Sequence, residues 1–171
     1  MNPMQKVRIE KITLNVGAGK DQAKLEKGIK LLNTVTGIKP VTTFTQKRIP
    51  TWGLRPGLPI GCMITLRKEQ ANALLPKLLE SKDKILKESQ FDNNGNVSFG
   101  VPEYIDIPGI EYDPEIGVMG FEVCVTLEKP GFRIKKRRVK KKKLHQNHRI
   151  TRKEAMKFMQ EKFNVKYGEA E

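Results

Sequence analysis

The chain predicts an α+β fold, a two-layer sandwich with helices on one face of a mostly antiparallel sheet. Short β-branched runs alternate in hydrophobicity, so each has one buried face. Two apolar stripes at helical spacing lie between them and a third closes the chain. The order β-α-β-loop-β-α-β-β-α has more strands than a bundle and no Rossmann period. At 171 residues and 19.5 kDa it has the size of one domain with a real core, and we read 1–171 as a single domain. The second face of such a sheet would be free for a partner.

The first strand is VRIEKITLNV, residues 7–16. Val7 and Ile9 share one parity while Ile12, Leu14 and Val16 share the other. That switch at Glu10–Lys11 predicts a bulge or bend. GAGKD then breaks the strand and Asp21 is placed to cap a helix carrying Leu25, Ile29, Leu32 and Val35. Gly28 weakens this helix, and Gly37 and Pro40 frame its exit. A short strand at 41–45 is followed by QKRIPTWGLRPGLPIG, residues 46–61, where Pro and Gly recur without periodicity. This reads as a long projecting loop. CMITLR, residues 62–67, is a strand with Cys62, Ile64 and Leu66 on one face.

Ala71, Leu74, Leu75, Leu78 and Leu79 then form a helical stripe. Pro76 conflicts with an unbroken helix and predicts a kink or two short helices. A turn at Asn93–Asn94–Gly95 feeds a strand ending near Gly100. Residues 101–118, with three prolines, two glycines and five acidic side chains, read as irregular with at most one helical turn. GFEVCVTL, residues 120–127, is a strand burying Phe121, Val123, Val125 and Leu127. The last helix, over 152–163, opens on a capping box, Thr151 and Glu154, with Ile150 set to staple onto Ala155. Ala155, Met156, Met159 and Phe163 supply its apolar stripe.

Charge points to function more directly than fold does. The formal net charge is +14, and it is concentrated. From Lys129 to Lys153 there are thirteen basic residues and no acidic one, whereas the rest of the chain holds twenty basic and nineteen acidic. Nine of the thirteen are Arg133, Lys135, Lys136, Arg137, Arg138, Lys140, Lys141, Lys142 and Lys143. Nothing nearby in sequence neutralises them, so a polyanion is the expected partner, with counterion release driving association. The segment runs between a strand and a docked helix, which holds it at both ends. The same charge would also suit an anionic membrane, but there is no apolar face to insert; in a nucleated cell it would serve as a nuclear localisation signal.

Other candidates are weaker. His145 and His148 have H-x-x-H spacing, but a metal ion would enter an already positive region; with Arg149 they suit RNA contacts better. Asp106, Glu111, Asp113 and Glu115 form the one acidic concentration. They would have to bind Mg²⁺ to make a nuclease, and a solvated loop or a counterweight to nearby lysines fits them better. GAGKD lacks the spacing of a phosphate loop. In the projecting loop, Lys47, Arg48 and Arg55 supply charge, and Trp52 either stacks on a base or folds back over the loop's own foot. Cys62 and Cys124 are small buried hydrophobes rather than a disulfide framework. The start MNPMQKVRIE has no signal-peptide core and no apolar run is long enough to span a bilayer. The expectation is a cytoplasmic protein with no cofactor, no metal and no membrane partner.

RPGLPIGCMITLR (55–67) is very similar to the signature of the ribosomal protein L5 family, the universal uL5 family. KVRIEKITLNVGAG (6–19), TGIKPVTTFTQKRI (36–49), NVSFGVPEY (96–104) and GVMGFEVCVTL (117–127) resemble further family segments, with Pro102 and Tyr104 as local departures. HRITRKEAMKFMQEKF (148–163) resembles the archaeal and eukaryotic branch, and without a long extension the chain looks archaeal. The resemblance implies a structural constituent of the large ribosomal subunit, not an enzyme. It implies binding to 5S rRNA in the central protuberance and contact with large-subunit rRNA and neighbouring large-subunit proteins. A loop near the P-site tRNA and a bridge to small-subunit protein S13 are also implied. On the family's motifs, Asn15, Gly17, Lys20, Thr42, Thr43, Lys47, Arg48, Asn96 and Phe99 would lie near 5S rRNA. Thr51, Trp52, Gly53, Leu54, Arg55, Pro56, Gly57 and Leu58 would form the tRNA-facing loop. A non-ribosomal RNA-binding protein or RNA chaperone is the alternative that uses the same charge, and a Mg²⁺-dependent nuclease is a second.

Overall fold

The computed structural model describes residues 2–168. In chain order its elements are β1 (Arg8–Gly17), α1 (Gln22–Thr36), β2 (Val41–Phe44), β3 (Pro59–Arg67), α2 (Lys68–Glu80), β4 (Ile85–Leu86), β5 (Asn96–Val101), β6 (Phe121–Glu128), the single-turn α3 (Arg133–Lys136), α4 (Arg152–Phe163) and β7 (Lys166–Tyr167). Five strands make one antiparallel sheet in the order β2-β3-β1-β6-β5. β4 and β7 pair separately, in parallel. The fold is the expected α+β sandwich, with α1 and α2 on one sheet face.

Strand β1 is central, paired with β3 from Lys11↔Arg67 to Gly17↔Gly61 and with β6 from Arg8↔Glu128 to Asn15↔Glu122. The register slips between Ile9 and Lys11. The extra residue lets Ile9 and Ile12, of opposite parity, both be buried, at 8% and 0% exposed. The parity switch read from the sequence is this bulge. Ile12, Leu14 and Val16 of β1, Cys62, Ile64 and Leu66 of β3, and Val123, Val125 and Leu127 of β6 share the core with Leu25, Leu31 and Leu32 of α1 and Leu75, Leu78 and Leu79 of α2.

Helix α1 starts where Asp21 accepts hydrogen bonds from the Ala23 and Lys24 backbone N–H groups, at 3.0 and 3.3 Å. It ends at Gly37, whose φ of 69° is left-handed. Gly28 does more than weaken it. A Cβ there would lie 2.8 Å from Val16 Cγ1 and 3.3 Å from Cys62 Sγ, so glycine lets the helix settle onto the sheet. The capping box of α4 is complete, and Ile150 and Ala155 are both buried.

One detail, the start of β3, differs from the sequence reading, and the structure adds to it at Pro76 and over 101–118. Helix α2 runs through Pro76 as one helix rather than two. The Asn72 carbonyl loses its Pro76 donor there, while the Asn72 side-chain amide donates to Lys68 O at 3.0 Å. Strand β3 starts at Pro59, three residues early, because Pro is tolerated at a strand's first residue. At Gly61 a Cβ would come 2.6 Å from Val16 O, so the glycine marks close backbone approach, not loop. The stretch 101–118 is irregular, with one 3₁₀ turn at Tyr104–Asp106, yet firmly anchored. Tyr104 is fully buried and its hydroxyl accepts from Asp113 N at 2.9 Å.

Candidate nucleic-acid interface

Among the described residues no helix covers the sheet face opposite α1 and α2, and the composition of that face follows from strand alternation. Cross-strand register places Thr65, Thr13, Cys124 and Ser98 in one row across β3, β1, β6 and β5. The rows on either side are Met63, Asn15, Glu122, Gly100 and Arg67, Lys11, Thr126, Asn96. Asn15 Nδ2 donates to Glu122 at 3.4 Å. Hydroxyl and amide groups dominate this broad face, and such groups both donate to phosphate oxygens and exchange hydrogen bonds with 2′-hydroxyls.

The β2–β3 loop projects from one end. It is braced by its own backbone. Thr45 N donates to Leu58 O at 2.9 Å, Gly57 N to Thr45 O at 2.8 Å, and Ile49 and Leu54 exchange bonds of 3.0 and 3.1 Å. A 3₁₀ turn at Pro50–Trp52 forms the tip, and Gly53 and Gly57 take left-handed φ values of 68° and 83°. Trp52 is 68% exposed, so it does not fold back. Leu54, 7% exposed, performs that anchoring instead. Lys47, Arg48, Thr51, Gly53, Arg55 and Pro56 are exposed and Leu58 is half-buried. Lys20 at the β1–α1 turn packs against the loop, its Cδ 3.9 Å from where a Gly53 Cβ would sit.

The basic segment follows β6. Every residue from 133 to 143 is exposed. Arg137 Nε donates to Lys140 O at 2.9 Å and Lys142 N to Ile134 O at 3.3 Å, closing the segment on itself. One cation is neutralised internally, contrary to the sequence reading that nothing nearby balances the run. Lys136 pairs with Glu10 at the β1 bulge and with Glu128 at 3.3 Å. Arg8 also pairs with Glu128, at 2.7 Å, and Arg67 reaches Glu10 at 3.5 Å. This cluster ties the segment to the sheet at the start of β1 and the end of β6. Among the described residues the other lysines and arginines from 133 to 143 form no ion pair. Lys129, at the segment's root, is 3% exposed and meets the Glu154 carboxylate at 3.0 Å. Burial opposes ionisation of Glu154, but the Thr151 N–H and the Lys129 ammonium win and hold its carboxyl below the usual value.

The structure sorts the remaining site candidates. Asn15, Thr43 and Asn96 lie on the uncovered face, with Gly17 exposed at its end. Thr42 has the parity of Cys62 and faces the helix side, half-buried. Phe99 is a correction: it is 4% exposed in the core, so its ring is not offered to a base. His148 is another. Its Nε2 donates to Pro130 O at 2.7 Å and its ring meets Phe132 edge-on, 5.7 Å between centroids. It packs the root of the segment, while His145 stays exposed and caps a short turn. Arg149 is exposed, with its carbonyl accepting from Lys129 at 3.4 Å. Asp113 and Glu115 are the counterweight considered above. Both pair with Lys30 of α1, Asp113 at 2.7 Å. Hydrogen bonds to Asp113 and then Glu115 hold the Lys30 ammonium above its ordinary pKa. Among the described residues no group of three His, Cys, Asp or Glu side chains is placed to hold a metal ion, and no helix is long and apolar enough to cross a membrane.

Comparison with known proteins decides the family. Residues 2–55 match the family described as "Ribosomal protein L5", and residues 59–158 match the C-terminal region of the same ribosomal family. The chain belongs to the ribosomal protein L5 family. It is 48% identical over 165 residues to the large ribosomal subunit protein uL5 of Methanosphaera stadtmanae, covering 96% of this chain and 98% of that one. The uL5 protein of Nanoarchaeum equitans is also 48% identical over 165 residues, 96% and 97% of the two chains. That of Sulfurisphaera tokodaii is 46% identical over 166 residues, 96% and 94%. L5 membership, with archaeal relatives, carries a ribosomal RNA-binding role and not a catalytic one. The two matched segments meet in the projecting loop. Their strands nevertheless interleave, since β1 and β2 from the first flank β3 from the second.

Proposed function

We propose that the protein is a structural constituent of the large ribosomal subunit in the cytoplasm that binds 5S rRNA in the central protuberance. One observation carries the reading: a helix-free polar sheet face lies between a braced finger and a tethered cationic segment. The face offers Asn15, Thr43 and Asn96 to sugar and phosphate groups. The segment crosses a neighbouring backbone-rich surface of 5S or large-subunit rRNA, with Arg133, Arg137, Arg138 and Arg149 making forked phosphate contacts and the lysines adding undirected charge. The finger, with Trp52 at its tip, reaches the P-site tRNA, and the same end of the molecule bridges to small-subunit protein S13. Neighbouring large-subunit proteins complete the setting.

Gentle purification from cells tests this. A 5S-sized RNA should co-purify and the protein should sediment with large subunits. An RNA-free protein in dilute salt would end the proposal. Replacing Lys140, Lys141, Lys142 and Lys143 with glutamine should flatten the salt dependence of 5S rRNA binding by about 3 log–log units, near 0.7–0.9 per phosphate contact. An unchanged slope would remove the segment from the interface.

A further inference from the structure

We propose that a pocket between the basic segment and the β4–β5 connection receives one unpaired nucleotide of the bound RNA. Its phosphate would lie on Lys135, Lys143 and Arg149, and its base against Phe132 and Leu144. The proposal rests on the RNA-binding reading above and adds a subsite to it. The cavity measures about 320 Å³ and is lined by Asn94, Phe132, Lys135, Lys143, Leu144 and Arg149, with Ile150 at its foot. That is the low end of the range for small-molecule sites and suits a mononucleotide, not a duplex. Three cations converge there and no carboxylate lines it. The nearest acid in sequence, Asp92, already accepts from Asn94 N and, at 2.7 Å, from Asn96 Nδ2. A free phosphate would use only the cations. The apolar lining adds a place for a planar ring, and Asn94 contributes an amide able to pair with a base edge.

The walls are set in advance. A Cβ on Gly95 would lie 2.5 Å from Ile150 Cγ2, so the turn before β5 is clamped onto the end of the segment. His148, bonded to Pro130 O at 2.7 Å, holds the Phe132 ring edge-on at 64°. The Lys142-to-Ile134 backbone bond of 3.3 Å keeps Lys143 and Leu144 turned back toward α3. The apolar walls therefore need little rearrangement when the site is filled, while Lys135, Lys143 and Arg149, all exposed, become ordered on the phosphate.

The test is an NMR titration of the full-length protein with AMP, GMP, CMP, UMP and ribose 5-phosphate. Nucleotides should shift the amides of Asn94, Lys135 and Leu144 and bind at least about tenfold tighter than ribose 5-phosphate, as a stacked base contributes. Equal binding of ribose 5-phosphate would reduce the pocket to an anion site and overturn the proposal, as would shifts located elsewhere. Leu144→Trp fills the pocket and keeps every cation. It should weaken nucleotide binding at least about tenfold while changing the salt slope of 5S rRNA binding by no more than one phosphate contact, about 0.9; undiminished nucleotide binding would overturn the proposal. The titration of the unaltered protein stands even if this variant does not fold. Failure of the wider reading has its own signature, since the unaltered protein would then ignore rRNA altogether.

Discussion

Substituting Gly28→Ala sets two effects of opposite sign against each other, and the geometry decides between them. In an exposed helix interior the change would stabilise by about 1 kcal/mol through backbone entropy. Here the new methyl lands 2.8 Å from Val16 Cγ1 and 3.3 Å from Cys62 Sγ. Carbon atoms pack best at about 3.5–4.0 Å, so the first contact is roughly 1 Å too close. Val16 is 2% exposed and β-branched, with restricted χ1 and packed neighbours, so it has little room to turn. Overpacking of this kind costs about 1–3 kcal/mol, and the net expectation is a loss of about 1 kcal/mol. Urea unfolding should show a lower midpoint with an unchanged m-value. In a Val16→Ala background the closest contact is removed while Cys62 Sγ at 3.3 Å remains, so the same Gly28→Ala change should cost less there than in the unaltered protein. A raised midpoint in the unaltered background would refute the close-packing account of Gly28.

Cys62 is fully buried and its thiol is pushed up to about 11 by desolvation, whereas Cys124 is half-buried on the uncovered face. A thiol reagent at neutral pH should modify one cysteine per native chain and both in denaturant, and mass mapping should assign the native adduct to Cys124. Trp52 touches no core, so Trp52→Ala should leave the melting temperature unchanged within the roughly 0.5 kcal/mol typical of surface changes, while tRNA-dependent subunit function falls in a translation assay. The Glu154 carboxyl is held below its ordinary value of 4.5. Its stabilisation is therefore complete above that value and is lost as pH falls through the lower folded value. Glu154→Gln should flatten acid unfolding in that window and leave Lys129 buried without its counter-charge, lowering stability at pH 7 as well.

What could be read from the chain, and what could not, divides by sequence distance. The bulge at Glu10, the Asp21 cap and the Thr151–Glu154 box are local patterns, and each is where the residues place it. The antiparallel sheet with one helical face followed from alternation alone. The two-residue strands β4 and β7 lie some eighty positions apart and are too short to carry periodicity. Gly28, Gly61 and Pro59 read as breakers because their roles depend on backbone brought close from elsewhere. In the site, exposure of the basic run was legible in kind, but whether Trp52 projects or folds back was not, and neither were individual roles. Phe99 and Leu54 turn inward because their strand parity and loop closure demand it, and His148 is drawn in by Pro130 and Phe132. Lys136 finds Glu10 across the fold, at the β1 bulge and far away in sequence.

The position of β1 has a consequence for synthesis. It leaves the ribosome before the other strands of the sheet, and β2 and then its partner β3 follow soon afterwards, but its other edge waits for β6. β5 waits too, because β6 is its sole neighbour in the sheet. Until residue 128 emerges, the nascent chain carries an open β1 edge beside an incomplete apolar layer, a template for pairing with other chains. Arrival of β6 closes both ladders at once, and the cationic segment is translated directly after it. The stretch most prone to capture stray polyanions therefore appears only when the sheet that holds it can already be complete.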